Sequence, residues 1–253
     1  MKKSKIAAQL YTVRDFLKTP SEIAASLKKV KAAGYDAVQV SGLGPVDTKE
    51  LKKMLDGEGL ICCATHEPGL DIIENTEKVI EKLKILDCEY TAYPYPHVKL
   101  DSKDACIALA ESLNEAGQKM AEADLVLCYH NHAIEFQRYG RKTALEIIYD
   151  ETDAEFLQAE LDTYWVQYGG ASPEEWCKDL EGRLPLIHLK EYGIVNNEIK
   201  MLEIGNGSLN WKKIVKAAKK AGTEWFIVEQ DVCRIDPFES LKISLEYLVN
   251  EVK

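Results

Sequence analysis

Residues 125–132 read LVLCYHNH, an apolar run that ends in polar side chains. Seven other short apolar runs occur before and after it. They begin near Ile6, Ala37, Leu60, Tyr90, Phe156, Leu184 and Trp225. Short apolar runs without strict alternation are typical of strands that are buried on both faces of a parallel sheet. The sequence therefore predicts eight parallel strands.

Helix signals separate the predicted strands. Residues 19–22 read TPSE, which provides an N-cap, a proline in the first turn and a capping-box acid. Similar starts occur at Asp47, Asp101, Ser172 and Asp236, and helical patterns also cover 71–87, 143–150 and 210–221. Strands and helices thus alternate along the chain, as they do in α/β folds.

Eight strand–helix units in 253 residues predict an α/β fold, a single-domain (β/α)8 TIM barrel over residues 1–253. The alternative is a doubly wound open sheet, which usually carries a glycine-rich turn after its first strand. Here the first strand leads into QLYTVRD at 9–15, which contains no glycine. After the seventh predicted strand, residues 191–210 form a long connection at the face where barrel active sites are built. Its GNG segment at 205–207 indicates a turn or a lid hinge.

Composition restricts the functional classes. The net charge is −10, whereas nucleic-acid binding needs clustered Lys and Arg, so nucleic acid is not an expected partner. The seven cysteines are odd in number and form no C-x-x-C motif, which indicates reduced thiols. No apolar run approaches the roughly 18 residues that a membrane span needs. We therefore expect a cytoplasmic protein without membrane or nucleic-acid partners.

Polar residues two positions apart end four successive predicted strands. The pairs are His130 and His132, Glu160 and Asp162, His188 and Lys190, and Glu229 and Asp231. Such pairs point the same way along a strand, so these side chains should meet at the barrel mouth. His, Asp and Glu suit a divalent ion: Mn²⁺, Zn²⁺, Co²⁺ or Fe²⁺, and Mg²⁺ for the carboxylates. The alternative is that the histidines are hydrogen-bonded rim residues and the acids cap helices, although no helix start is evident after Asp162.

Six short motifs follow the predicted strands in order. They are QLYTVRD, YHNH with Glu135-Phe136, ELDTYW, HLKEY, IGNGSLNW and VEQD. In order and strand position, they resemble the xylose isomerase-like TIM barrels, the sugar phosphate isomerase/epimerase superfamily, over nearly the whole chain. The resemblance implies an enzyme with one divalent metal ion, for which Mn²⁺ is favoured.

The resemblance also implies a ligand set. Members of that family hold the metal with Glu, Asp, His and Glu from the fifth to the eighth strand. Asp162, His188 and Glu229 occupy the last three positions in this sequence. His130 stands where many relatives carry the first glutamate, and we favour it as the remaining ligand. Glu135, five residues later, is the alternative ligand.

The activity that the resemblance implies is isomerisation or epimerisation of a keto sugar through an enediolate. The related ketose epimerases use two metal-bound glutamates to move protons, and Glu229 remains available as a base. We expect the second proton-transfer group to be His132, Glu135 or His66.

The resemblance further implies contacts with a small sugar or polyol ketone. Lys190 would contact a hydroxyl or stabilise the enediolate, and its alternative role is a salt bridge at the barrel rim. Trp165 would form an apolar wall or simply pack, and His66 would also contact the substrate. The sequence leaves a homo-oligomer open.

Other functions remain open from the sequence. The same first step serves keto-sugar or inosose dehydratases and lyases that cleave C-glycosides. Replacement of a glutamate by His130 also motivates a non-catalytic sugar-binding subunit. The endonuclease branch of the superfamily is disfavoured, because its multi-zinc cluster needs more histidines than the five present here and the chain is acidic.

Overall fold

The computed structural model describes residues 1–252, in which eight parallel strands close into a barrel. Each strand pairs with the next along the chain, and the last pairs with the first. Their bounds are β1 Ile6–Gln9, β2 Ala37–Val40, β3 Ile61–His66, β4 Tyr90–Tyr93, β5 Val126–His130, β6 Leu157–Asp162, β7 Leu186–Leu189 and β8 Trp225–Val228. All eight predicted strands are present, and the predicted (β/α)8 barrel is confirmed.

Helices surround the barrel. They are α1 Pro20–Ala32, α2 Thr48–Glu58, α3 Gly69–Glu74, α4 Thr76–Leu86, α5 Lys103–Ala121, α6 Ala144–Asp150, α7 Thr163–Tyr168, α8 Pro173–Asp179, α9 Trp211–Ala221 and α10 Pro237–Glu251. The predicted capping box is present, since Thr19 Oγ1 accepts the Glu22 N–H and Glu22 accepts the Thr19 N–H. The predicted caps Asp47, Ser172 and Asp236 are also confirmed.

Two predicted helix boundaries are wrong. Ser102, not Asp101, caps α5, through a hydrogen bond of 3.1 Å from the Ala105 N–H to Ser102 Oγ. The helical pattern over 71–87 is divided into α3 and α4 at Asn75, whose φ of −126° and ψ of 33° are not helical. Asn75 Nδ2 donates to Asp71 Oδ1 at 3.1 Å, and such local side-chain bonds compete with helical backbone.

The connection over 191–210, predicted as a loop, contains a β-hairpin. Its strands are Glu191–Val195 and Glu198–Leu202. Asn196 and Asn197 join them with φ values of 51° and 64°, as a two-residue type I′ turn requires. Further on, the Asn206 N–H donates to the Glu203 carbonyl oxygen at 2.9 Å, so the GNG segment forms the predicted turn.

Small and apolar side chains fill the barrel interior, and a larger apolar layer packs between strands and helices. On β5, Leu127 and Tyr129 belong to the outer layer, whereas Cys128 belongs to the interior. Because side chains alternate along a strand, His130 also points into the barrel. Among residues 1–252, no helix has the length and apolarity that a membrane crossing requires.

Candidate metal centre and active site

Side chains from β5 to β8 meet at the carboxyl end of the barrel. His130, Asp162, His188 and Glu229 are at most 5% exposed, and each offers a ligand atom within 4.8 Å of the others. Asp162 and His188 are direct neighbours in the strand register. His188 Nδ1 lies 2.9 Å from Glu229 Oε2, and His130 Nε2 lies 3.8 Å from Asp162 Oδ2. The four residues predicted as metal ligands are thus brought together.

Asp162 has two roles at the end of β6. Its Oδ1 accepts the Trp165 N–H at 3.0 Å, which makes it the N-cap of α7. The expectation that no helix follows Asp162 is therefore wrong, because a six-residue helix begins directly at Thr163. The other oxygen, Oδ2, is buried and has no hydrogen-bond partner within residues 1–252. A buried carboxylate oxygen that accepts no hydrogen bond is suited to a cation, and Lys190 Nζ already lies 3.4 Å from this one.

Glu160, which the strand-end pattern placed at the barrel mouth but which was not predicted as a ligand, forms the centre of a second, overlapping cluster. Its Oε2 lies 2.5 Å from His66 Nε2, 3.0 Å from His130 Nδ1 and 3.3 Å from His188 Nε2. Its Oε1 accepts a hydrogen bond of 2.5 Å from Gln39 Nε2. The three histidines and Glu160 could also hold a metal ion. The two-residue spacing from Glu160 to Asp162 was the available signal, since both side chains share one face of β6.

The charges in these clusters determine which groups ionise. Burial alone would lower the pKa of His188, but Glu160 and Glu229 raise it to about 10. Burial would raise the pKa of both glutamates, but His188 and, for Glu229, Lys190 hold these values well below the usual range. Burial, partly offset by Lys190 and His188, raises the pKa of Asp162 to about 6. Asp162 is therefore the carboxylate that an added cation would stabilise most.

Lys190 is a buried cation surrounded by acids. Its Nζ lies 2.7 Å from Asp231 Oδ2, 3.1 Å from Glu229 Oε2 and 3.4 Å from Asp162 Oδ2. It also lies 5.2 Å from the centroid of the Trp165 ring. Burial alone would lower the pKa of Lys190, but the three carboxylates raise it above its usual value. Lys190 therefore forms the rim salt bridge that the sequence left as its alternative role, and it links three acids there.

A cavity of about 460 Å³ opens beside the clusters, and its wall includes His66, His130, His132, Lys190 and Glu229. His132 Nδ1 is buried without a hydrogen-bond partner in the described chain, and its ring centroid lies 5.3 Å from that of Trp165. Trp165 packs behind His132 and Lys190 and is not part of the wall. Larger surface cavities of about 580 and 700 Å³ contain no residue of either cluster.

The structure places Glu135 away from this cavity. It lies fully buried in a short turn of 3-10 helix, Ile134–Phe136. Its Oε1 accepts the Tyr129 hydroxyl at 3.0 Å, and its Oε2 accepts the His132 backbone N–H at 2.8 Å. Because Tyr129 belongs to the outer apolar layer, Glu135 lies on the helix side of β5 and not beside the ligand cluster. Its contacts fix the backbone of His132.

The effect of Glu135→Gln on stability is expected to be more favourable at pH 8 than at pH 5. Burial raises the pKa of Glu135 from 4.5 to about 7, so the folded state binds this proton more tightly than the unfolded state. Stability is therefore lost as the pH rises from 4.5 through 7, by about 3 kcal/mol at about 1.4 kcal/mol per pKa unit. Glutamine does not ionise, so the variant does not lose this stability as the pH rises. The difference in melting temperature, variant minus wild type, should therefore increase by several degrees from pH 5 to pH 8.

The control for this comparison is Glu111→Gln, which changes an exposed glutamate on α5. Its melting temperature should follow that of the wild type at both pH values. If the difference in melting temperature between Glu135→Gln and the wild type does not change with pH, Glu135 is already ionised in the folded protein at pH 5.

The donor set at the barrel mouth fits a divalent metal ion. Two imidazoles and two carboxylates match the preferences of Mn²⁺, Zn²⁺, Co²⁺ and Fe²⁺. Burial, reinforced by His188, lowers the pKa of His130 to about 3, so its imidazole is in the neutral form that coordinates metals. Asp162 Oδ2 adds a carboxylate oxygen that the protein leaves without a hydrogen bond.

The structure thus combines a closed (β/α)8 barrel with a buried cluster of His and carboxylate side chains that could hold a metal ion at its mouth. A family model described as xylose isomerase-like TIM barrel matches residues 27–250, and the chain belongs to this family. The resemblance inferred from the sequence motifs is thereby confirmed.

Comparison with individual proteins gives distant similarities. Inosose dehydratase from Geobacillus thermodenitrificans (strain NG80-2) is 24% identical over 263 residues, which cover 88% of this chain and 87% of the relative. A sugar phosphate isomerase/epimerase from Parabacteroides distasonis superposes with a TM-score of 0.84 at 23% identity, covering 100% of this chain and 96% of that one. An L-ribulose 3-epimerase superposes with a TM-score of 0.74 at 15% identity, covering 97% and 93% of the two chains. At such identities the two structures share the fold with this chain.

Proposed function

We propose that the protein is a metal-dependent isomerase or epimerase that acts on a keto sugar through an enediolate. The observation that carries the proposal is the convergence of four ligand atoms from β5 to β8 within 4.8 Å, beside a cavity with candidate proton-transfer groups. Membership of the xylose isomerase-like family supports it. The expected partner is a small sugar or polyol ketone.

In this proposal His130, Asp162, His188 and Glu229 hold the ion, and Mn²⁺ is the favoured metal. When bound, the ion would stabilise the negative charge that develops on the substrate oxygens as the enediolate forms. The set containing Asp162 is preferred to the set containing Glu160 because of the partners that each carboxylate already has. Both oxygens of Glu160 have protein partners at 2.5 Å, whereas Asp162 Oδ2 accepts no hydrogen bond from the described residues and lies 3.4 Å from Lys190 Nζ.

Glu229 is the proposed base that removes the proton from the carbon next to the carbonyl. His188 and Lys190 engage its Oε2, and no hydrogen bond from the described part of the chain reaches its Oε1. His132 is the proposed second proton-transfer group, because its Nδ1 has no partner and its backbone is fixed by Glu135. Return of the proton to the opposite face gives an epimer, and return to the neighbouring carbon gives an isomer.

His66 and Lys190 are proposed to contact substrate hydroxyls, since both lie in the cavity wall. Lys190 also favours the ionised form of the neighbouring carboxylates through its contacts with them. Trp165 is proposed to support the cavity wall without contacting the substrate. Its ring provides the apolar surface against which the side chains of His132 and Lys190 pack.

The second candidate is a dehydratase of a keto sugar or inosose. The similarity to the inosose dehydratase of Geobacillus thermodenitrificans over most of both chains favours it. Removal of the same proton would be followed by loss of hydroxide from the adjacent carbon. The cavity and the proposed base serve both outcomes equally well.

The test is exchange of substrate C–H for deuterium in D2O by the Mn²⁺-loaded protein. Free ketoses and inososes are incubated and followed by NMR and mass spectrometry. Exchange with formation of a second ketose or an aldose would support the isomerase or epimerase. Exchange with loss of water would select the dehydratase, and loss of an attached aglycone would select a C-glycoside lyase. A protein that binds the metal and sugars but exchanges no proton would be a non-catalytic sugar-binding subunit.

A further inference from the structure

We propose that the substrate is an uncharged ketone with several hydroxyl groups, not a phosphate ester, and that Glu67 binds one of those hydroxyls. This inference rests on the proposed function and specifies its substrate class. It depends on an unpaired acceptor in the cavity wall, on the partners of the nearby cations, and on the loop after β7.

Glu67 is a buried acid in the wall of the cavity. It directly follows β3 and is one of the residues that line the cavity, next to His66. The residue is 5% exposed, and its Oε2 accepts a hydrogen bond of 2.8 Å from Lys82 Nζ. Its Oε1 is buried without a hydrogen-bond partner in the part of the chain that the structure describes. A substrate hydroxyl is a donor that would satisfy this oxygen.

The cations near the cavity are already engaged. Lys190 is the one lysine or arginine that the described residues contribute to the wall, and its Nζ contacts three carboxylates. Lys82 is paired with Glu67. Arg14 at the rim donates to the carbonyl oxygens of Tyr11 and Asp231 at 3.0 and 2.9 Å. A phosphate group would therefore meet carboxylates without a free cation to pair with.

The loop after β7 is also closed to an anionic ligand. In many TIM barrels the loops after the seventh and eighth strands bind phosphate through backbone N–H groups. Here the carboxylate of Glu191 takes that role within the protein. It accepts the N–H groups of Gly205 at 3.0 Å and Leu209 at 3.1 Å, and the indole N–H of Trp211. A Cβ on Gly207 would come within 2.5 Å of Glu191 Oε1, so this carboxylate fills the loop.

These observations together favour an uncharged ketone with several hydroxyl groups over a phosphate ester. A hydroxyl can donate to Glu67, whereas a phosphate dianion has no proton to donate and would be repelled by Glu67, Glu229 and Asp231. A neutral polyol can bind in the same cavity without adding a negative charge beside these carboxylates.

The test compares free ketoses with their phosphate esters on the Mn²⁺-loaded full-length protein. The pairs are D-fructose and D-fructose 6-phosphate, and D-ribulose and D-ribulose 5-phosphate. Deuterium exchange gives kcat/KM, and isothermal titration calorimetry gives binding without turnover. The variant is Glu67→Gln, and its matched control is Glu77→Gln, which changes an exposed glutamate on α4.

We expect at least one free ketose to exceed its phosphate ester by about a hundredfold in kcat/KM and to bind more tightly. Glu67→Gln should raise KM for that ketose about tenfold with little change in kcat, as loss of uniform binding does. Glu77→Gln should behave as the wild type.

A phosphate ester that exchanges or binds better than its free ketose would overturn the inference. So would a Glu67→Gln variant, folded by circular dichroism, that is indistinguishable from Glu77→Gln. If no ketose exchanges at all, the proposed function fails, and binding alone decides the inference. Preferential binding of free ketoses would then support it, and failure to bind any free ketose would overturn it.

Discussion

Glu229→Gln is expected to lower turnover by about a thousandfold, the scale on which a positioned general base contributes. Glu229 is the carboxylate that reaches both the cavity and the ligand cluster. Glutamine keeps the size of the side chain and an oxygen, but it cannot accept the substrate proton. The loss should therefore fall on kcat and on kcat/KM alike, as for an interaction made in the transition state. Steady-state deuterium exchange of the best ketose would measure it.

The matched control is Glu224→Gln, which changes an exposed glutamate at the opposite end of the same strand. Its kcat should stay within about twofold of the wild type, because surface substitutions have small effects. Glu229→Gln with nearly full turnover would remove Glu229 as the base and leave His132 as the first candidate.

Lys190→Met is expected to cost about 3–5 kcal/mol of unfolding free energy in the metal-free protein. Lys190 is 1% exposed, and its Nζ contacts Asp162, Glu229 and Asp231. Methionine fills much of the same space but leaves three neighbouring carboxylates without their cation. Urea denaturation in the presence of a chelator would measure the loss. Added Mn²⁺ should recover part of it, because a bound cation stabilises the folded state.

The control for this prediction is Lys200→Met, which removes a partly exposed lysine whose Nζ lies 2.6 Å from Glu198 Oε2. Exposed ion pairs contribute at most about 1 kcal/mol, so its denaturation midpoint should hardly move. Equal losses of unfolding free energy for the two substitutions would mean that Lys190 does not compensate the charge of the neighbouring carboxylates.

The barrel could be predicted from the sequence because its signals are local. Each strand is a short apolar run buried on both faces, and most helices begin with a recognisable cap such as Thr19 or Asp236. The four-strand cluster could also be predicted, because alternation fixes which side chains point inward at the end of each strand. That rule predicts that His130 and His188 lie at the barrel mouth, whereas their assignment as ligands came from the family resemblance.

Other features depend on contacts across the molecule. Glu160 shares a face with Asp162, but its contact with His66 arises only when β3 and β6 are brought near each other by barrel closure. The backbone turn after His132 places Glu135 outside the barrel, and no periodicity predicts that turn. The bonds that Glu191 accepts from the loop after β7 likewise require the folded hairpin.

The most direct test of the metal centre is the metal content of the protein after Mn²⁺ loading and dialysis, measured by elemental analysis. Wild type, His188→Ala and the control His97→Ala are compared, since His97 is exposed and belongs to neither cluster. We predict about one ion per chain in wild type and His97→Ala, and none in His188→Ala, because His188 belongs to both candidate ligand sets. A wild type without metal, or His188→Ala with full occupancy, would contradict the proposed site.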